Sequence, residues 1–137
     1  MTIKAEIHKA GGIIIRDRRL LVERSKGKEF FIAPGGSVEE GETPKQALVR
    51  ELMEEFRIEV QEDDLILFGT FHANAAGQAG KIVQMDIYTV KKYVGEPAAD
   101  NEVDEIKWIT SNTRGIKLGS IFEHEVLPRL KAMNLID

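Results

Sequence analysis

Apolar residues recur at helical spacing over two stretches of the chain. In residues 43–56, Leu48, Val49, Leu52, Met53 and Phe56 fall on one broad arc at about 100° per residue and are expected to face a core. Thr43 suits the N-cap, Pro44 the first helical position, and Gln46 completes a capping-box pattern with Thr43. The second stretch is 121–133, with Ile121, Phe122, Val126, Leu127, Leu130 and Met133 apolar. Pro128 is expected to kink it or to end a turn.

Elsewhere the pattern favours strands: residues 3–16, with a bend or a close backbone approach at Gly11-Gly12, then 20–24, 65–72, 81–92 and 105–109. Asp17-Arg18-Arg19 turns the chain, so the first two strands are expected to pair as a hairpin. Phe30-Phe31-Ile32 leads into a turn at Pro34-Gly35-Gly36, and polar or small-residue loops are expected over 25–29, 73–80 and 95–101. These elements predict a single α/β domain over 1–137, a mixed β-sheet with one helix on each side.

Composition narrows the partners. With 19 Lys and Arg against 23 Asp and Glu, the net charge of -4 argues against a basic platform for polymeric nucleic acid. A nucleotide remains open as a substrate, since a metal can supply positive charge. There is no cysteine, hence no disulfide and no thiol chemistry, which fits the cytoplasm. No apolar run approaches the roughly 20 residues of a membrane-spanning helix.

The chemistry gathers on the first helix. Glu51, Glu54 and Glu55 share a separate arc, and Glu51 and Glu55 are like-charged i,i+4 neighbours. Arg50, four residues before Glu54, offsets one charge. Taken alone, three glutamates read as a solvated acidic face. With a backbone carbonyl from the Gly35-Gly36 turn they also supply the oxygen ligands that Mg²⁺ or Mn²⁺ prefers.

Gly36, five residues, Glu42, seven residues, Arg50-Glu51-Leu52-Met53-Glu54-Glu55 and then Ile58 resemble the Nudix box, G-x5-E-x7-R-E-U-x-E-E-x-G-U, where U is bulky and aliphatic. One fixed position departs: Arg57 stands where the family has Gly. There the helix ends, and Arg57 either takes a strained left-handed conformation or the end adopts another geometry.

The resemblance implies an α/β/α sandwich and hydrolysis of nucleoside diphosphate-linked compounds with Mg²⁺, for which Mn²⁺ can substitute. It implies Glu51, Glu54 and Glu55 as metal ligands, with the Gly35 carbonyl beside them. Glu51 is the preferred base, in a role the other glutamates could exchange, and Arg50 orients the glutamates. Gly36, Glu42 and Arg24 are the expected substrate-side residues, Arg24 being either a phosphate contact or a solvated strand-end arginine. An extra acidic ligand is expected at Glu102 or Glu105, with no choice between them. The whole-length layout resembles the MutT-like group, which converts nucleoside triphosphates to monophosphate and pyrophosphate. Alternatives are an ADP-ribose or other nucleotide-conjugate pyrophosphatase and a nucleotide-binding module without catalysis. Residues 72–77 hold neither the Pro nor the Tyr that marks some other subfamilies. Monomer and homodimer both remain open.

Overall fold

The structure, a computed structural model, describes residues 6–74 and 80–137. The expected strand start at Ile3 and most of the loop read over 73–80 lie outside the described residues.

The chain forms β1 (Ile7–Ile13), β2 (Ile15–Arg16), β3 (Arg19–Ser25), β4 (Gly35–Ser37), α1 (Pro44–Phe56), β5 (Leu65–Asn74), β6 (Ile82–Val90), β7 (Val103–Ile109), a π-helical turn (Phe122–Val126) and α2 (Leu127–Ala132). The strands divide into two sheets where one was expected. One is mixed, in the order β4-β1-β6-β5, with β1 and β6 parallel; the other is antiparallel, β2-β3-β7. The division falls at Ile14, where the chain leaves the first sheet, so the expected hairpin pairs only Ile15 and Arg16 with Leu20 and Arg19. Its two-residue turn needs positive φ at both Asp17 (53°) and Arg18 (62°). The Arg18 side chain is then held by Asp137 at 2.6 Å and Asn134 at 2.8 Å, which pins the end of the chain to the turn.

The expected turn at Gly35-Gly36 is a short strand, β4, antiparallel to β1. Glycine is required there: a Cβ on Gly35 (φ 150°) would lie 2.0 Å from the Ala10 carbonyl oxygen.

In α1, the Gln46 amide donates to Thr43 Oγ1 at 3.1 Å and the Thr43 amide to Gln46 Oε1 at 2.9 Å, completing the capping box. Ala47, Leu48, Leu52 and Phe56 are buried and Val49 is partly so, but Met53 is 48% exposed. The buried arc extends towards Ala47 rather than Met53, because a methyl side chain lets the sheet approach closely. One core joins this face to Ala10, Leu21, Tyr88 and Val103; a second lies on the far side, where Ile13, Val22, Phe31 and Ile87 meet Phe122, Val126 and Leu130. Each helix thus covers one core, giving the Nudix-type α/β/α arrangement.

The helix expected over 121–133 is not uniform. The Leu127 amide reaches the Phe122 carbonyl, an i,i+5 turn. Pro128 has no N–H, and its ring would press on the His124 carbonyl in a regular helix; the wider turn relieves this. Among the described residues no helix is long and apolar enough to cross a membrane.

Arg57 takes the left-handed conformation (φ 59°, ψ 29°), and the amides of Arg57 and Ile58 turn back onto the carbonyls of Met53 and Leu52 at 3.2 Å each. Its guanidinium bonds Asp100 at 2.9 Å. Arg57→Gly is expected to hold or raise the urea midpoint and Arg57→Val to lower it, both having lost the Asp100 contact equally. Urea melts of the two variants check the order; glycine below valine is the contradicting result.

Candidate active site

Residues 51, 54 and 55 leave α1 on its polar side, and their carboxylates each place an oxygen within 4.8 Å of the others. Glu54 is exposed, whereas Glu51 and Glu55 are half-buried. Glu51 lies against Gly36, where an added Cβ would sit 2.4 Å from its carboxyl carbon. Glycine at position 36 therefore makes the space that the Glu51 carboxylate fills.

Arg50 organises the neighbours. Its Nε and Nη2 grip both oxygens of Glu42 at 2.8 and 2.9 Å, Nη1 donates to Glu51 at 2.8 Å, and Nη2 reaches the Ser37 carbonyl at 3.1 Å. Such two-pronged charged bonds are among the strongest available to side chains. The Glu39 amide adds a bond to Glu42 at 2.9 Å. These bonds, Arg50 first, hold the Glu42 carboxyl down at about 2, and the same acids raise the Arg50 pKa. Burial pushes Glu51 up, opposed by its bond to Arg50 and reinforced by the charges of Glu55 and Glu54.

The loop before β7 docks on the end of α1. Asn101 Nδ2 donates to the Glu54 carbonyl at 2.6 Å, and the Asp100 amide to the Glu55 carbonyl at 3.0 Å. The Glu102 amide donates to the Glu55 carboxylate, also at 3.0 Å. This brings Glu102 to the cavity beside the cluster. Glu105 is turned elsewhere, into ion pairs with Arg24 at 3.1 Å and Lys107 at 3.2 Å. Arg24 also bonds Asp104 at 3.0 Å and stands over the Phe31 ring. Neither Arg24 nor Glu105 lines the cavity.

The cavity measures about 210 Å³ and is bounded by β1, β3, β4 and α1, with Gly35, Gly36, Glu51, Glu55 and Glu102 in its wall. Two further wall residues, Lys9 and Glu23, escape the sequence reading. No local signal marks Glu23: Leu20, Leu21 and Val22 are all buried, on both faces of the strand, so parity does not tell an inward from an outward position. Glu23 is only 2% exposed. Burial drives its pKa up to about 7; Lys9 opposes this, while the charges of Glu55 and Glu51 add to it.

A neighbouring pocket of about 310 Å³ shares Lys9, Ser25, Ile32, Ala33 and Met85 with the cavity and extends to Phe30, Val83 and Phe122. Trp108 is outside both, partly buried against the first core with the Arg16 guanidinium 4.3 Å above its ring.

An all-oxygen donor set, crowded with acid and offset by one arginine and one lysine, fits a hard divalent cation. This is the arrangement of a metal-assisted hydrolase. The NUDIX domain family matches the chain over residues 6–130, and the chain belongs to that family. It is a Nudix hydrolase, a pyrophosphohydrolase of a family typically dependent on divalent metals and acting on nucleotide-type small molecules. Among its relatives is an 8-oxo-dGTP diphosphatase from Haemophilus influenzae, 36% identical over 99 residues that cover 69% of each chain. An ADP-ribose pyrophosphatase from Methanocaldococcus jannaschii is 30% identical over 117 residues, 83% of this chain and 66% of the relative. A solved MutT NUDIX hydrolase from Burkholderia pseudomallei superposes with a TM-score of 0.74 at 22% identity, covering 85% of this chain and 92% of that one, and so shares the fold.

Because Glu42 is depressed from 4.5 to about 2 in the folded protein, the stability it contributes is present above about pH 4.5 and is lost as the pH falls through about 2. Glu42→Gln is therefore expected to lower the melting temperature at pH 7 in low salt. The gap to the parent protein should close between pH 4.5 and 2. Thermal melts across that range check it; a gap that does not change with pH contradicts it.

Proposed function

We propose that the protein hydrolyses nucleoside triphosphates, modified deoxynucleotides among them, to monophosphate and pyrophosphate with Mg²⁺, for which Mn²⁺ can substitute. The observation that carries this reading is the adjacency of two spaces with a shared wall. An acidic cavity suited to a metal and phosphates shares the wall residues Lys9, Ser25, Ile32, Ala33 and Met85 with a mainly apolar pocket of about 310 Å³, the lower end of the range for small-ligand sites.

Glu54, Glu55 and the Gly35 carbonyl would hold the cation. When bound, such a cation neutralises phosphate charge and lowers the pKa of a coordinated water. In this reading Glu51 accepts the proton of the attacking water; its seat against Gly36 and its bond from Arg50 support that role. The water oxygen bonds to phosphorus as the bond to the leaving phosphate oxygen breaks. Glu42 acts through Arg50, which it fixes in place. Lys9, common to both spaces, is positioned for phosphate charge between metal and base. Glu102 is the extra acidic residue of the cavity.

The Methanocaldococcus relative supports a second reading, ADP-ribose hydrolysis. A binding module without catalysis is disfavoured, since every glutamate of the box is present.

Glu54→Gln and Glu55→Gln each keep the size and helix preference of the side chain while removing an anionic oxygen. Each is expected to lower turnover at least tenfold at limiting Mg²⁺ with the fold retained. Full turnover in both variants sinks the metal assignment.

The substrate is tested by kcat/KM across a deoxynucleotide panel that includes an oxidised guanine nucleotide, set against ADP-ribose and a dinucleoside polyphosphate. The expected order is deoxynucleotide, then ADP-ribose, then dinucleotide. A tenfold preference for either of the last two, worth about 1.4 kcal/mol in transition-state binding, overturns the triphosphate reading while leaving the hydrolase intact.

A further inference from the structure

Among the described residues, Phe30 is the one exposed large apolar side chain that lines either of the two cavities. It stands in the wall of the apolar pocket, 42% exposed, and belongs to neither core. An aromatic ring left open to water in this way forgoes much of the burial that usually places it inside a protein.

The backbone around Phe30 is nonetheless fixed. Ile32 and Glu23 of β3 exchange main-chain bonds at 2.8 and 2.9 Å. The Phe31 amide donates to the Lys117 carbonyl and the Gly119 amide to the Phe31 carbonyl, each at 2.8 Å. Glu29 forms an ion pair with Lys117. Alternation along this extended segment sends Phe30 and Ile32 to the pocket and Phe31 into the second core, where it is 3% exposed. The Phe31 ring also has cations over it, Arg24 at 5.3 Å and Lys107 at 5.9 Å. Phe30 differs: among the described residues its ring has neither an aromatic neighbour nor a cation over it. A flat apolar face is thus held ready in a pocket whose wall also carries Val83, Met85 and Phe122.

We propose that Phe30 is the stacking platform for the base of the substrate and that it favours purine over pyrimidine nucleotides. A two-ring base overlaps a phenyl face more fully than a one-ring base does, and stacking of this kind needs no particular pattern of donors and acceptors. The proposal rests on the nucleotide reading above, in which the apolar pocket takes the base. It does not depend on the triphosphate, since ADP-ribose carries a purine as well.

The test compares the parent protein with Phe30→Leu, which is apolar but not planar, and Phe30→Trp, which offers a larger face. dGTP and dCTP serve as substrates with Mg²⁺, and inhibition by dGMP reads binding apart from turnover. The parent is expected to favour dGTP over dCTP at least fivefold in kcat/KM. Phe30→Leu should raise KM for dGTP and the inhibition constant of dGMP about tenfold each, with kcat changed less than threefold. It should affect dCTP less, so that the purine preference collapses, whereas Phe30→Trp should keep or sharpen it. Thermal melts check that both variants fold, as expected for a side chain outside both cores. If the parent cleaves ADP-ribose but neither deoxynucleotide, ADP-ribose and AMP take the places of dGTP and dGMP, and the same losses are expected. A Phe30→Leu variant that keeps the parent's KM and inhibition constant, or that loses equally on purine and pyrimidine, overturns the proposal and leaves the hydrolase reading standing. A parent protein that turns over no nucleotide at all refutes the nucleotide reading and the platform with it.

Discussion

The site depends on the fork of Arg50. Three helix glutamates and Glu42 crowd into one region, and their mutual repulsion would splay the loop from the helix without a fixed cation between them. Arg50 grips Glu42 with two bonds and Glu51 with one, and reaches the β4 backbone with a fourth. A lysine could carry the charge but not this planar geometry. Because Glu51, Glu42 and β4 are all tied to the same guanidinium, helix, loop and sheet keep one arrangement before any ligand arrives. That preorganisation is what electrostatic catalysis requires.

The scaffold supplies the rest of the rigidity. α1 is seated by Leu48, Leu52 and Phe56 in one core, while the π-helical turn and α2 close a second core on the far side. The cavity opens where the two sheets part: β1 and β4 come from one, β3 from the other. The break at Ile14 that separates the sheets is therefore also what allows strands of different sheets to face the same glutamates.

The acids outside the box are sorted by backbone bonds. Asn101, in the left-handed region at φ 48°, bonds the Glu54 carbonyl, while Asp100 pairs with Arg57. These contacts settle the loop on the end of α1 and deliver Glu102 to Glu55. The Arg57 that departs from the box thus gains a partner in the loop that carries Glu102. Two places further along β7 from Val103, Glu105 pairs with Arg24 of the adjacent strand instead.

Much of this was readable from local pattern. The helix with its capping box, the glutamates on its polar face and the box from Gly36 to Ile58 are set by residue type at short spacing, because helical geometry places i, i+3 and i+4 together whatever the remainder of the chain does. The left-handed end at Arg57 was one of two outcomes left open by the same local rules. What the chain order could not reveal was which distant strands meet. The division into two sheets, the choice of Glu102 over Glu105 at the cavity, the exposure of Met53 and the burial of Glu23 all depend on pairings across long stretches of chain. Such pairings are decided by how the two cores pack together, a balance that no short window of sequence contains.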